Sequence, residues 1–295
     1  MAGKNGGTTA TAEASFRPYQ QRNVSAMLLT GACLVEILKA QCMATATGDP
    51  TAAPRNTQAL IAQARSALAK QQQTVEALLV ADGAAESESI QLSTLRNHGL
   101  VLQHELSCLS GDTSTELTIL QTAGDSTCTA SDIIAMAECS SKKGSAVAAA
   151  RGFDIGLTML LAAPQRDTPA IASVIRHRIE VEERAAAGSS STEKLNELYA
   201  SAASHLSLLA DTYPPDEAAW IVTTAFNRGV NHHRMLRFSQ AQSMFEMARS
   251  ILPHALRSDP SLERLQSRID EAINIVEEEL KNVKTAVINC SNPAA

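Results

Sequence analysis

The stretch from Asp216 to Ala255, DEAAWIVTTAFNRGVNHHRMLRFSQAQSMFEMARSILPHA, constrains the fold more than any other part of the chain. It spells a helix, a tight turn and a second helix. Gly229 supplies a small residue on the first helix, where a partner helix must approach closely. Twelve residues on comes Ala241, followed by Phe245, Ala248 and Pro253. Ala241 and Ala248 are short enough for the second helix to lie against the first, and Phe245 fills the gap between them. Pro253, which lacks a backbone N–H, is expected to stop the second helix.

This small–A-x₃-F–P skeleton is that of a tetratricopeptide hairpin. A second hairpin with the same internal interval lies upstream, from Ser131 to Leu161. Ile133, Met136 and Ala137 hold its first-helix positions, Gly144 makes the turn, and Ala149, Phe153 and Gly156 repeat the small–Phe–small rhythm. Each such hairpin buries its apolar face only on its neighbours, so the expected architecture is an all-α, right-handed, tetratricopeptide-like solenoid.

Composition agrees. The 295 residues are 44% hydrophobic but only 3% aromatic, so the core must come from Ala, Leu, Ile, Val and Met, which favours helix over strand. Apolar residues at steps of three and four predict further helices at Tyr19–Thr45, Thr57–Val80, Ser89–Ser110, Pro169–Ala186 and Thr192–Leu209. Thr113–Glu116 and Ser190–Glu193 fit capping boxes. Asp259 and Pro260 open a long helix, about 260–287, whose single seam (Leu262, Leu265, Ile269, Ala272, Val276, Leu280, Val283, Val287) suits a terminal cap. The expected organisation is a disordered tail at 1–18, one helical-repeat domain at 19–289 and a short tail at 290–295.

The apolar window Val24–Ala44 contains Glu36, Lys39 and Gln41, so a buried helix is expected there and no membrane span. A formal net charge of −6 argues against direct nucleic-acid binding, which needs a basic excess. The six cysteines, Cys33, Cys42, Cys108, Cys128, Cys139 and Cys290, form no C-x-x-C. No Cys–His pair is read at zinc-ligand spacing, so no metal and no cofactor is expected. The start of the sequence has no secretory pattern, and a reducing intracellular compartment follows.

No nucleophile elbow, phosphate loop or H-E-x-x-H occurs, so no catalytic residue and no small-molecule substrate is expected. His232, His233 and Arg234 end the first helix of the organising hairpin, where cations suit the macrodipole. His98 and His104 read as solvated or partly buried, the acidic run Glu180, Glu182 and Glu183 as a solvated face, and Arg176–Arg178 as helical surface. Asn227 stands mid-helix, as an inter-helix hydrogen bond or as an amide that holds a bound peptide. Asn227, His233 and Arg234 are the expected partner-binding residues, on a concave face lined by first helices.

The run Trp220 to Val230 (WIVTTAFNRGV), followed by Arg237-Phe238 and Ala241, resembles the C-terminal repeat of the meiotic Zip-four/Spo-twenty-two tetratricopeptide family. Ile119 to Gly124, Ala135-Met136-Ala137 and Ala172 to Arg176 are also similar to segments of that family. Its members are much longer, so this chain would correspond to their C-terminal part. The resemblance implies a non-enzymatic scaffold on meiotic chromosomes in the nucleus. Its partners would be other crossover proteins, gathered to promote crossover formation and synapsis. The alternative is a generic intracellular tetratricopeptide adaptor in chaperone or trafficking work, cytoplasmic rather than chromosomal.

Overall fold

The computed structural model describes residues 9–46, 57–80, 86–143, 145–186, 193–209, 212–256 and 262–291. Among these residues there are eleven helices and no strand. The fold is all-α and solenoid-like, in that helices pack chiefly on those next to them in the chain. They group into two compact units, Met1–Gly156 and Leu157–Ala295.

The first unit opens with α1 (Thr9–Ala46), α2 (Thr57–Val80) and α3 (Glu86–Ser110). Helix α1 begins ten residues ahead of the expected Tyr19, because the TATAEAS stretch prolongs a helix that its later turns anchor. Val24 of α1 packs with Val75 and Leu78 of α2 and with Leu92 of α3. Val35 and Leu38 pack with Ile61, Ala64 and Leu68, and with Leu106. These pairings make the three helices alternately antiparallel. Gly31 lets α2 come close: a Cβ there would lie 2.5 Å from a Leu68 methyl carbon.

One residue of this interface runs against pattern. Gln71 is fully buried and donates through Nε2 to the Leu95 carbonyl at 2.9 Å, holding α2 to α3. Gly99 leaves room for its amide.

Helices α4 (Thr113–Gly124), α5 (Ala130–Lys143) and α6 (Ala146–Ala162) follow. The α4 cap is Asp112 and not a Thr113–Glu116 box: the Asp112 carboxylate accepts from the Thr115 backbone N–H at 3.1 Å and from its hydroxyl at 2.8 Å. Glu116 is thereby free to turn into the core, where it is buried. Helix α6 lies on α5 backbone to backbone. A Cβ at Gly152 would meet the Ala137 Cβ at 2.7 Å, and Phe153 beside it is buried.

The second unit holds α7 (Thr168–Ala186), α8 (Glu193–Leu209), α9 (Pro215–Arg234), α10 (Phe238–Leu256) and α11 (Glu263–Ser291). One apolar cluster runs through all five, from Ile171 and Leu195 through Ile221 and Phe245 to Ile269 and Val276. The α9–α10 hairpin is built as its small residues require. Gly229 faces the Phe245 ring, which would be 2.5 Å from a Cβ at that position, and the Phe226 and Phe245 rings stand 5.5 Å apart. Pro253 does not stop α10; the helix carries it and ends at Leu256. Its ring faces solvent, and burial of Leu252 and Ala255 on either side holds the last turn in place.

The turn after α9 is closed by Leu236, at φ 59°, a conformation that usually falls to glycine. The Arg237 N–H reaches back to the His232 carbonyl at 2.9 Å. Helix α11 packs on α10 through Ile269, Ile273 and Val276, but the expected seam stops short, since Val283 is 45% exposed. Gly144, the Ser190 side of the second capping box and the Asp259-Pro260 signal lie outside the described residues, as do the side chains of Val287 and Cys290.

Phe245→Ala lowers unfolding free energy by about 3–5 kcal/mol, and Gly229→Ala by about 1–3 kcal/mol. The double variant loses clearly less than the sum, because the smaller side chain makes room for the new methyl. Strictly additive losses in urea unfolding would show that Gly229 and Phe245 do not touch. Leu236→Gly raises stability by about 1 kcal/mol, since it relieves a left-handed backbone and gives up a side chain that is 75% exposed.

Candidate functional site

The strongest concentration of chemically capable groups lies in the first unit, where α3, α4 and α5 meet. His104 and Cys108 are one turn apart on α3 and therefore share a face. Cys139 and Ser140 come from α5, and Glu116 from α4. His104, Cys108, Ser140 and Glu116 are buried, and Cys139 is half-buried.

Their hydrogen bonds form a directed chain. The Ser140 hydroxyl donates to Glu116 Oε2 at 2.6 Å. Having spent its proton there, Ser140 Oγ accepts from His104 Nε2–H, 3.1 Å away. That leaves His104 Nδ1 as a bare lone pair, and it faces the Cys108 sulfur at 3.7 Å. A ring nitrogen of His104 and the sulfurs of Cys108 and Cys139 all lie within 4.8 Å of one another.

Burial makes the His104 imidazole hard to charge and pulls its pKa down to about 4. The neighbouring Cys139 sulfur and then burial push the Cys108 thiol well above its usual range. Cys139 moves the other way, because Cys108 supplies a hydrogen bond to its thiolate. Cys139 thus gives up its proton first. A Cys–His–Ser–Glu chain has the parts of a nucleophile with its base, but Cys108 is held protonated and is 6% exposed. A surface groove lined by Arg65, Gln72, Gln103, Ser107 and Thr122 among others includes neither His104, Cys108 nor Ser140.

The sequence reading of these residues is corrected on two points. His104 is fully buried rather than solvated or partly buried, and His104 and Cys108 do stand at a ligand-compatible spacing. The four-residue step on one helix was the available signal. Cys139, thirty-one residues further on, had none, because only the packing of α3 on α5 brings it in.

The second unit carries the residues expected to bind a partner. Asn227 and Arg234 stand two turns apart on α9, exposed and with no hydrogen bond or ion pair among the described residues. Asn227 therefore locks no helices together. His233 is half-buried, its ring 5.7 Å from that of Phe238. His232 is not a cation at the helix end. It is buried with neither ring nitrogen hydrogen-bonded among the described residues, and burial, then the nearby Arg228 and Arg237, pull its pKa down.

The acidic run on α7 is likewise no solvated face. Glu180 accepts from Arg176 at 3.0 Å, Glu182 pairs with buried Arg178 at 3.0 Å, and Glu183 accepts from the Tyr199 hydroxyl at 3.0 Å. Arg176 also lies 4.9 Å over the Trp220 ring.

Helix α1 differs most from expectation. Residues Gln20–Ala44 are long and apolar enough by length and composition to cross a membrane, yet only 22% of the most apolar window is buried. It is not a core helix. Leu29, Ile37 and Met43 are 66%, 47% and 71% exposed. Between α1 and α3 runs an open groove of about 580 Å³, lined by Leu28, Leu29, Ala32, Leu95, Val101 and Leu102, with Ser25, His98 and Asp132 as its polar members.

No family model, curated protein or solved structure matches this chain. The Trp220–Gly229 run is accounted for by packing: Trp220 stacks on Arg176, Phe226 on Phe245, and Gly229 makes room for Phe245.

Stability at acid pH tests the buried imidazole of α9. Its folded pKa lies below the ordinary value near 6.5, so the stability it carries is complete above about pH 6.5 and is lost as pH falls below that. His232→Phe therefore flattens the decline in unfolding free energy between about pH 7 and 5. Parallel pH curves for the two proteins would show that His232 titrates alike in the folded and unfolded chain.

Proposed function

We propose that this chain is a non-enzymatic protein–protein interaction scaffold that docks an amphipathic helix of a partner protein on the outer face of α1. The uncovered apolar groove between α1 and α3 carries this reading. Leu28, Leu29 and Ala32 recur at helical spacing on one wall, and Leu95 and Leu102 stand two turns apart on the other. That is the length over which a bound helix presents its i, i+3 or i+4, and i+7 residues. Asp132 in the lining and the formal net charge of −6 favour a partner helix whose polar flank is basic.

A protein suits this face better than a bilayer. The adjoining side of the same helix, Val24, Gly31, Val35 and Leu38, is packed on α2 and α3. Lys39, toward the C-terminal end of the apolar segment, is ion-paired to Glu36 at 2.7 Å and to Glu105. The enzyme reading has less support, because the His104 base and the Cys108 thiol are both buried. The setting we propose is meiotic recombination, among crossover-promoting proteins on chromosomes. It rests on the resemblance of the Trp220–Gly229 run and on nothing further. In that setting the exposed Asn227 and Arg234, with His233 beside them, are a second contact for an acidic or backbone-presenting segment.

Proximity labelling with the tagged full chain tests both parts. Leu29→Asp places a charge on the groove without touching the core. It is expected to reduce labelling of a defined set of proteins about tenfold, equivalent to about 1.4 kcal/mol. Identical label sets would reject docking on α1, and Leu29-dependent flotation with phosphatidylcholine–phosphatidylserine vesicles would put a membrane in the partner's place. Wild-type protein that labels no crossover proteins in meiotic cells would overturn the meiotic setting and leave the scaffold intact.

A further inference from the structure

The cluster at the meeting of α3, α4 and α5 has the donors and the supporting shell of a metal centre. We infer that His104, Cys108 and Cys139 bind a zinc ion through Nδ1 and the two sulfurs. The proposal is independent of the docking face on α1.

The chemistry of the donors comes first. Two sulfurs and an imidazole are a borderline-soft set that suits Zn²⁺ and is poorly suited to Mg²⁺ or Ca²⁺, which take oxygen. The geometry is already near what the ion needs. With Zn–S near 2.3 Å and Zn–N near 2.0–2.1 Å, the edges of a tetrahedral site are about 3.6–3.8 Å long. His104 Nδ1 and Cys108 Sγ stand 3.7 Å apart, and the whole trio lies within 4.8 Å. The remaining contraction is at most about 1 Å along an edge of the tetrahedron.

The outer shell points the same way. A histidine that ligates a metal characteristically donates its second N–H to a carboxylate, a carbonyl or a water, which fixes the tautomer and aims the free lone pair. Here Nε2 donates to Ser140 Oγ and Ser140 donates to Glu116, so the bare Nδ1 points at the thiols. A core interaction among apolar helices has no need of that relay. A metal ion also accounts for a buried glutamate that is held by a serine, with no ion pair to it among the described residues.

Binding balances without any redox partner. The two thiol protons leave to solvent, two Zn–S bonds and one Zn–N bond form, and the two thiolates neutralise the dication, as a buried site requires. Three protein ligands leave the fourth position to a water molecule. The ion would tie α3 to α5 across thirty residues of chain.

The test uses the reduced, chelator-stripped full chain. One equivalent of Co²⁺ is expected to give thiolate-to-cobalt charge-transfer absorption and tetrahedral ligand-field bands, and one equivalent of Zn²⁺ to abolish them. Cys139→Ser removes the charge-transfer signal or halves it and loses stoichiometric zinc. Ser140→Ala keeps the signal but weakens zinc binding about 10–100-fold. Should Cys139→Ser fail to fold, the wild-type chain still decides the matter: zinc is expected to protect the half-buried Cys139 from iodoacetamide, read on its own peptide. Cobalt bound without thiolate absorption, an unchanged signal in the folded Cys139→Ser chain, or equal alkylation of Cys139 with and without zinc would each overturn the assignment.

Discussion

Close approach of helix backbones is the constraint on which the rest of this structure depends. A chain with 3% aromatic residues has few side chains able to bridge a wide gap, so its cores close by bringing helices together. Gly31 against Leu68, Gly152 against Ala137 and Gly229 against Phe245 mark where that happens. At each of them a single added methyl meets an atom at under 3 Å. Alanines at 148, 149, 172, 202, 225, 241, 248 and 255 are buried around these crossings. The two units use the same device with different fillings, aliphatic in the first and centred on Phe226 and Phe245 in the second.

Tight packing of this kind leaves little room for buried polar groups, which makes the exceptions informative. Gln71 is explained by its bond to the Leu95 carbonyl and by the space at Gly99. Arg178 is explained by Glu182, and Tyr199 by Glu183. The His104–Ser140–Glu116 relay is satisfied within itself yet leaves one imidazole lone pair facing the Cys108 sulfur, with Cys139 close by. His232 has no hydrogen-bond partner among the described residues, and its cost is carried as a lowered basicity.

The same economy explains where the molecule is uncovered. Helix α1 has enough apolar length for burial on several sides, but α2 and α3 cover only the Val24–Val35–Leu38 side. What is left over is the groove with α3 and the exposed Leu29, Ile37 and Met43. At the other end of the chain, α11 is held by Ile269, Ile273 and Val276 and then runs past its support, so Val283 is exposed.

Much of the fold was legible in the sequence. Helical periodicity is local, so α2 was placed at its observed ends and α7 and α8 to within a residue, and the Gly229–Ala241–Phe245 spacing gave the α9–α10 hairpin. Local signals failed where tertiary packing overrode them: Pro253 rides inside α10, Asp112 replaces the expected cap, and Glu180, Glu182 and Glu183 find partners instead of solvent. The candidate site was only half readable. The sequence by itself determined that His104 and Cys108 share a helical face, because a four-residue step is fixed by the pitch of the helix. Only the tertiary structure decided that Cys139, Ser140 and Glu116 close around them, since no property of a single helix says which of its faces a distant helix will meet.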